Sequence, residues 1–178
     1  KVPMLSLANA FDEGDLKNFE KKILNFIDKK EGITLEYSTE PKIDGISASL
    51  NYKDGKFVQG LSRGDGREGE DITSNLMTIA DIPKNIHIKD FPKEIDIRGE
   101  VFIRNNDFKR IKDKFANPRN AASGSLRQKN PEDTKKIPLK FIAYTYGYEK
   151  GLNVSSQSEF LKKLKNWGFN TNPLNRVL

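Results

Sequence analysis

The sequence contains no cysteine, one histidine and one tryptophan among its 178 residues. The absence of cysteine excludes disulfides and thiolate metal sites, and it fits a reducing, cytoplasmic setting. No apolar run approaches the roughly 20 residues that span a bilayer, so we expect no membrane partner. We also expect no signal peptide, since the first residues alternate between apolar and polar types. The remaining composition, 35% hydrophobic and 31% charged, is typical of a soluble globular domain.

Charge is unevenly distributed along the chain. Residues 1–90 carry 13 Lys/Arg against 16 Asp/Glu, whereas residues 91–178 carry 18 against 9. The stretch 104–140 is especially basic, with 11 basic and 4 acidic residues. Such a segment is the usual electrostatic signature of a phosphate-rich partner. A solvated lysine face kept for solubility would have the same composition, so charge alone leaves both interpretations open.

The hydrophobic spacing predicts one α+β domain built on antiparallel strands. Apolar residues at steps of three and four predict an amphipathic helix over residues 15–30, ended by Gly32. Alternation predicts five strands: 33–37, 46–52, 57–61, 95–103 and 139–148. Shorter helical patterns cover four further segments: 71–78, 106–114, a helix beginning at Asn117-Pro118, and 156–167. Asp54-Gly55 predicts a tight hairpin between two of the strands.

The segment EPKIDG, residues 40–45, places a lysine between two acidic residues at a predicted strand junction. Lysine attacks phosphorus only as the free amine, which burial or a nearby cation such as a bound metal would favour. The negative charge of Asp44 would instead favour the protonated amine. We therefore expect Asp44 to orient the Lys42 amine or to help hold a metal. Taken alone, the short KxDG pattern is more typical of a salt bridge at a strand turn.

Two later segments carry polar groups that could surround a ligand. Arg63-Gly64-Asp65-Gly66 follows a predicted strand, where the arginine would supply a planar fork for phosphate or sugar oxygens. A surface turn has the same glycine-rich composition. Glu100 lies within an otherwise apolar strand, and a buried carboxylate needs a partner. That partner is either an arginine, Arg98 or Arg63, or the hydroxyl group of a bound ribose.

Six segments together resemble the adenylation (nucleotidyltransferase) domain of bacterial NAD⁺-dependent DNA ligases. They are PMLSLANAF (3–11), EPKIDG (40–45), SRGDGREGEDIT (62–73), IRGEVF (97–102), FANPRNAASGSLRQ (115–128) and WGF (167–169). ATP-dependent ligases and capping enzymes share the KxDG pattern but not the NPRNAASGSLRQ segment. The resemblance implies a nucleotidyltransferase fold, ATP-grasp-like, with antiparallel sheets flanked by helices.

The resemblance also implies roles for individual residues. Lys42 would form a covalent bond to AMP as nicotinamide mononucleotide leaves NAD⁺, with Asp44 supporting the lysine and the transferred group. Glu40 would contact the adenine amino group. The residues expected to bind the nucleotide are Ser6, Leu7, Glu40, Arg63 and Glu100. Mg²⁺ is implied as a cofactor, but no residue is assigned to hold it.

The same family uses two arginines on DNA phosphates near a nick, which here correspond to Arg119 and Arg127. They are eight residues apart, a little over two helical turns, so one helix face could carry both. Asn120 and Ser125 either approach the DNA backbone or serve the helix itself. The implied reaction passes AMP from Lys42 to the 5′-phosphate of nicked duplex DNA, and the 3′-hydroxyl then displaces it, during replication and repair.

We expect residues 1–178 to be a partial adenylation domain, incomplete at its C-terminal end. Motifs resembling DGVVIK and KFP, which carry further lysines in the family, have no match in residues 139–178. The N-terminal module for nicotinamide mononucleotide and the OB-fold, zinc-finger, helix-hairpin-helix and BRCT parts are expected to be absent. Zinc would belong only to those parts. We therefore expect this chain not to seal nicks alone, and self-adenylation to be impaired.

The parent protein is expected to be monomeric, cytoplasmic and bacterial, associated with the nucleoid. Two other functions remain open. One is a non-catalytic nucleic-acid-binding module on the same fold, although such a module has no use for the combination of Lys42, Asp44, Arg63 and Glu100. The other is a nucleotidyltransferase that uses ATP or GTP.

Overall fold

The computed structural model describes residues 2–27 and 35–178. The helices in this part are α1 (Glu13–Phe26), α2 (Thr73–Leu76), α3 (Asn105–Phe108), α4 (Pro118–Leu126), α5 (Pro131–Lys135) and α6 (Gln157–Asn166), with a 3₁₀ turn at Lys112–Lys114. The strands are β1 (Ser38–Thr39), β2 (Ile46–Lys53), β3 (Lys56–Ser62), β4 (Glu94–Ile103), β5 (Leu139–Lys150) and β6 (Arg176–Val177). This arrangement confirms the α+β class with antiparallel sheets.

The central element is a four-stranded antiparallel sheet in the order β3-β2-β4-β5. The turn from β2 to β3 is the predicted hairpin. Asp54 and Gly55 both have positive φ, 47° and 75°, the backbone that a two-residue turn of the I′ type requires. A separate two-stranded sheet pairs β1 with β6, and so joins the segment before the KxDG loop to the C-terminal residues.

One face of the four-stranded sheet is buried against the helices. Alternate residues of β2 and β4, such as Leu50 and Ile97, are fully buried there. Helices α2, α4 and α6 contribute Leu76, Leu126 and Phe160 to the same cluster. Burial of this face fixes the strand register, because a slip by one residue would turn every core side chain to the other side.

The opposite face is polar and carries cross-strand pairs between β2 and β4. Asn51 Nδ2 donates to Asp96 Oδ1 at 2.8 Å, and Lys53 Nζ lies 3.3 Å from Glu94 Oε1. Farther along the same two strands, Ser47 stands opposite Glu100 and Ser49 opposite Arg98. A groove of about 570 Å³ lies along this face. The alternation of buried and partly exposed residues along β2 and β4 therefore gives the sheet a core side and a side open to ligands.

A buried hydrogen-bond network anchors the C-terminal end of α4. Asn75 Nδ2, from α2, donates to the Gln128 carbonyl at 2.9 Å and to Thr134 Oγ1 at 2.8 Å. Thr134, which is fully buried in α5, donates in turn to the Ser125 carbonyl at 2.8 Å. Because these polar groups satisfy one another away from water, they tie three short helices into one unit.

The pattern of residues 1–11 predicts an ordered, partly buried segment, and the structure differs. The side chains at Leu7, Phe11 and Phe26 are 76%, 87% and 90% exposed, respectively, so residues 2–11 and the apolar face of α1 are not buried. The predicted helix end at Gly32 lies outside the described residues, and α1 itself ends at Phe26. The periodicity was sufficient to predict the helix, but among the described residues no element covers most of its apolar face.

Two further predictions were partly right, and a third is confirmed. Residues 35–37 are not a strand, and β1 begins at Ser38; residues 33–34 lie outside the described part. The helix predicted for 106–114 is interrupted at Ile111, whose φ of −126° is not helical. The α6 prediction is confirmed: the Glu159 backbone N–H donates to Ser156 Oγ at 3.2 Å, and Gly168 has the positive φ of a helix end.

None of the described helices has the length and apolar character needed to cross a membrane.

Candidate active site

The KxDG loop connects β1 to β2 and passes directly over β4. Lys42 and Asp44 are exposed, whereas Gly45 is buried. A Cβ atom at position 45 would lie 2.3 Å from the Val101 carbonyl oxygen and 2.9 Å from Glu100 Cγ. Only glycine permits this approach, and the approach brings the lysine-bearing loop against the strand that carries Glu100.

Asp44 pairs with the first arginine of α4. Its Oδ1 atom lies 2.9 Å from Arg119 Nη1. Helix α4 begins as the sequence predicts: the Asn117 side chain accepts the Asn120 backbone N–H at 2.7 Å, and Pro118 follows at the first helical position. The exposed N-terminal turn of α4 is thus in direct contact with the KxDG loop.

Glu100 is the one buried carboxylate among the described residues, with a side chain 6% exposed. Burial raises the pKa of this carboxyl, whereas the Ser47 hydrogen bond, the positive charges of Lys42 and Arg119, and the Gly45 backbone N–H act in the opposite direction. Ser47 Oγ donates to Glu100 Oε2 at 2.9 Å. Lys42, Arg119 and Glu100 therefore lie close enough to influence one another electrostatically.

Of the two partners considered for Glu100, the arginine is not observed. Arg98 instead donates to the backbone carbonyls of Val2 and Pro3, and Arg63 Nη2 donates to Ser6 Oγ at 2.9 Å. The two arginines hold the N-terminal segment, which left Glu100 to be satisfied by a neighbour on β2. A serine two residues after Gly45 gave no signal in the sequence that it would fill this position.

The glycine-rich loop after β3 is a compact turn. Gly64 and Gly66 have positive φ, 54° and 97°, and Met4 N–H donates to the Gly66 carbonyl at 2.7 Å. Asp65 accepts the Glu68 and Arg67 backbone N–H groups, which lower the pKa of its carboxyl. The loop therefore presents the exposed Arg63 beside Ser6, while Leu7 projects into solvent.

Glu40, at the start of the KxDG loop, is held from another direction. Its Oε1 atom accepts Gln157 Nε2 at 2.8 Å and Ser38 Oγ at 3.4 Å. Gln157 belongs to α6 and also donates to the Tyr144 carbonyl at 2.6 Å. Nothing in the sequence marks Gln157 or Ser47 as a site residue, because the partner of each is remote in the chain.

Tyr144 lies at the centre of these groups. It is half-buried, and burial raises the pKa of its phenol, as does the nearby charge of Glu100; a hydrogen bond with Ser47 acts in the opposite direction. The alternation of Tyr144, Tyr146 and Tyr148 along β5 predicts that they pack on one strand face rather than stack on bases. That holds for Tyr146, whose ring centroid lies 4.7 Å from that of Phe160, but Tyr148 is 43% exposed.

The second arginine predicted to bind DNA pairs with the glycine-rich loop. Arg127 Nε lies 2.7 Å from Glu70 Oε2, and both side chains are more than half exposed. Arg127 and Arg119 thus each contact a carboxylate from a different loop. Ser125, between them, is fully buried, and its Oγ has no hydrogen-bond partner among the described residues.

Residues 2–27 and 35–178 contain no group of three or more His, Cys, Asp or Glu side chains arranged to hold a metal ion. The carboxylates near Lys42 are instead occupied by other partners. Asp44 contacts Arg119, and Glu100 contacts Ser47.

Comparison with known proteins assigns the chain to a family. A family model described as NAD-dependent DNA ligase adenylation domain matches residues 1–178. The chain is 74% identical over 178 residues to a DNA ligase of Pelagibacter ubique, covering 100% of this chain and 26% of that protein. It is 48% identical over 182 residues to a DNA ligase of Parvibaculum lavamentivorans, with coverages of 98% and 26%.

A DNA ligase of Paracoccus denitrificans is 43% identical over 182 residues, covering 99% of this chain and 24% of that protein. The chain thus spans about a quarter of the length of these curated relatives. The match of the family model over every residue shows that the chain belongs to the family of NAD-dependent DNA ligase adenylation domains.

Proposed function

We propose that this chain is the nucleotide-accepting part of a bacterial NAD⁺-dependent DNA ligase, with Lys42 as the nucleophile. The observation that carries this proposal is the meeting of the KxDG loop with β4 and α4. There Lys42 lies beside the buried Glu100 and the pair between Asp44 and Arg119. Membership of the NAD-dependent ligase family supplies the chemistry for which such a cluster is suited.

In the first step, the neutral Lys42 amine attacks the α-phosphorus of NAD⁺. A nitrogen–phosphorus bond forms, and the bond from phosphorus to the bridging oxygen breaks. Nicotinamide mononucleotide leaves with that electron pair, and the lysine nitrogen releases a proton to solvent. Charge develops on the non-bridging oxygens, so positioned cations such as Arg63 favour the transition state.

The remaining residues bind and orient the nucleotide. Glu40 accepts a hydrogen bond from the adenine amino group, and Glu100 and Arg63 take the ribose and phosphate. Asp44 supports the lysine and the transferred group. The N-terminal residues Ser6 and Leu7 line the site. The contact between Arg63 and Ser6, at 2.9 Å, supports this assignment because it joins two of the proposed nucleotide-binding residues that are far apart in sequence.

Mg²⁺ fits this site as a partner of the substrate rather than as an ion in a protein cage. Mg²⁺ commonly keeps several waters and binds through one or two carboxylates plus substrate phosphates. Asp44, whose side chain is 80% exposed although it pairs with Arg119, would be the carboxylate available to such an ion. When bound, the ion would neutralise negative charge on the phosphates.

We further propose that Arg119 and Arg127 bind DNA phosphates at a nick. Both guanidinium groups are more than half exposed and face loops of the site. The longer protein would transfer AMP to the 5′-phosphate and join it to the 3′-hydroxyl, in replication and repair. We propose residues 1–178 as a partial adenylation domain of that protein. Zinc would belong to its other parts. We expect the protein to act as a monomer on bacterial DNA in the cytoplasm.

The direct test is intact-mass spectrometry after incubation with NAD⁺ and Mg²⁺. We expect a gain of one AMP in a ligase of the relatives' length that contains this domain, and none in its Lys42→Ala variant. Arg67→Ala, an exposed substitution in the glycine-rich loop, serves as the control that should still gain AMP. A gain of AMP by the Lys42→Ala variant, or no gain of AMP by the unsubstituted ligase, would contradict the proposal.

The same measurement separates the alternatives. Substituting ATP or GTP for NAD⁺ tests the other nucleotidyltransferases, which would gain a nucleotide from the triphosphate. A non-catalytic binding module would bind nicked duplex DNA without gaining a nucleotide from any of the three. Applying the assay to residues 1–178 alone tests whether the isolated part self-adenylates; we expect little or no gain there.

A further inference from the structure

Gln157 links the proposed adenine-binding carboxylate to the sheet. It is the first residue of α6, directly after the helix cap Ser156. Its Nε2 atom lies 2.8 Å from Glu40 Oε1 and 2.6 Å from the Tyr144 carbonyl oxygen. A side-chain amide nitrogen carries two hydrogens, so both are used by these two acceptors.

The contact with Tyr144 depends on an irregularity in the sheet. Arg98 stands opposite Thr145 and Gly99 opposite Ala143, which leaves Tyr144 as the extra residue of a β-bulge. The extra residue of a bulge has no direct partner in the ladder. The carbonyl of Tyr144 therefore accepts its hydrogen bond from α6.

Both neighbours require the amide orientation observed here. A carboxylate oxygen and a carbonyl oxygen only accept hydrogen bonds. A flipped amide would set the Gln157 oxygen against two acceptors and lose both bonds. The bulge thus fixes the amide of Gln157, and the fixed amide in turn presents a donor to Glu40.

This arrangement leaves one side of Glu40 for a ligand. The two protein donors, Gln157 and Ser38, both reach Oε1. Within residues 2–27 and 35–178, no hydrogen-bond donor reaches Oε2. Both protein donors hold Oε1, so Oε2 is left to accept a hydrogen bond from a ligand in a fixed direction.

We propose that Gln157 is a positioning residue that determines base specificity, by holding Glu40 as an acceptor for a 6-amino purine and against a 6-oxo purine. The proposal rests on the proposed contact between Glu40 and adenine. A 6-amino group donates to Oε2, whereas a 6-oxo group sets two acceptors against each other. A site built around a hydrogen-bond partner rejects an analogue that cannot make that bond.

The test compares binding of AMP and IMP, which differ in the 6-substituent of the purine, by titration calorimetry. The unsubstituted chain should prefer AMP. Gln157→Leu, which removes both donors, should lower that preference about tenfold, the effect of losing one hydrogen bond to a charged group. The loss should come from weaker AMP binding, with IMP binding unchanged or stronger.

Four further variants, one of them a double substitution, complete the experiment. Gln59→Leu is the matched control, because Gln59 also donates to a carboxylate, Asp71 at 3.2 Å, but from the exposed edge strand β3. It should leave the preference unchanged. Glu40→Gln should lose the preference, and adding Gln157→Leu to it should have no further effect, because the two residues act as one unit. Gln157→His keeps one donor and should fall between Gln and Leu.

Equal affinity of the unsubstituted chain for AMP and IMP, or no binding of either, would overturn the inference. So would a parallel loss of both affinities in Gln157→Leu and Gln157→His, which is what a merely structural role predicts. Transfer of AMP to Lys42 is measured separately by mass. The catalytic proposal can therefore fail while the preference for AMP over IMP is observed. Conversely, AMP transfer to Lys42 can be observed while that preference is absent.

Discussion

Asp44 Oδ1 and Arg119 Nη1 are 2.9 Å apart, so the carboxylate beside the proposed nucleophile and an arginine proposed to bind DNA neutralise each other. Both side chains are largely exposed, at 80% and 54% respectively. Exposed pairs of this kind contribute on the order of 0–1 kcal/mol. The pair is therefore weak enough for a phosphate to take the place of Asp44, and DNA binding would release Asp44 toward Lys42.

Replacing Asp44 with asparagine should strengthen DNA binding by this chain. The substitution frees Arg119 from its carboxylate and removes one negative charge near the DNA phosphates. We expect an increase of roughly two- to fivefold at low salt, diminishing as salt screens the charges. Fluorescence anisotropy with a labelled nicked duplex, measured over a range of salt concentrations, gives the affinity.

Asp90→Asn is the matched control, since Asp90 pairs at 2.8 Å with Lys163 on α6 rather than with an arginine of α4. It removes the same charge. Equal strengthening by the two substitutions would mean that overall charge, not release of Arg119, is responsible.

The buried Glu100 predicts a pH-dependent stability. Burial raises the pKa of this carboxyl above its ordinary value of 4.5, so the folded protein holds the proton more tightly than the unfolded chain. The contribution of Glu100 to the free energy of unfolding therefore falls as the pH rises from about 4.5 through the raised pKa of the folded protein. Glu100→Gln has no ionisable group at this position and so does not lose stability in this way. The difference in free energy of unfolding, variant minus unsubstituted chain, should therefore be more favourable to the variant at pH 7 than at pH 4.

Urea unfolding followed by circular dichroism at pH 4, 5, 6 and 7 measures the difference. Glu132→Gln, on an exposed residue that pairs with Lys135 in α5, corrects for loss of a surface charge. If the stability difference between Glu100→Gln and the unsubstituted chain were the same at every pH, burial would not be acting through ionisation of Glu100.

Gly45 and Gly124 should respond oppositely to alanine. The new Cβ at position 45 would lie 2.3 Å from the Val101 carbonyl oxygen, so the loop or β4 must shift. Overpacking of this kind costs about 1–3 kcal/mol. In α4, the nearest atom to a Cβ at position 124 is Phe115 Cε1 at 3.9 Å. Alanine there should stabilise the helix by about 0.5–1 kcal/mol.

Urea midpoints of Gly45→Ala and Gly124→Ala, measured side by side, test both signs. A neutral effect at position 45 would mean that the KxDG loop is not held against β4. The Lys42-containing loop would then be free of the constraint that brings it to Glu100.

Local signals predicted the features that depend on neighbouring residues. The hairpin at Asp54-Gly55, the cap at Asn117 and the end of α6 at Gly168 each follow from the backbone preference of one or two residues. The bounds of the four longer strands, β2 to β5, were close because alternation continues along each of them. Apart from Ser6 and Leu7, the site residues suggested by motif were charged, since charged groups within a motif stand out without knowledge of their partners.

The remaining features depend on contacts between distant segments. Gln157 lies 117 positions from Glu40, and nothing in its own neighbourhood distinguishes it from any other residue at a helix start. Tyr144 departs from its packing pattern because a bulge interrupts β5. The exposure of Phe26 and Leu7 could not be predicted, because periodicity shows which face of a segment is apolar. It does not show whether another element covers that face.

The hydrogen bonds from Asn75 and Thr134 have a consequence for the kinetics of the proposed DNA binding. They hold the backbone at the end of α4, where Arg127 begins, in one arrangement before any ligand arrives. Binding of DNA at this face would then require only the Arg127 side chain to become ordered, because no segment of backbone has to fold. We expect encounter with DNA to be governed by long-range electrostatic attraction, and residence time by the exchange of Glu70 for phosphate.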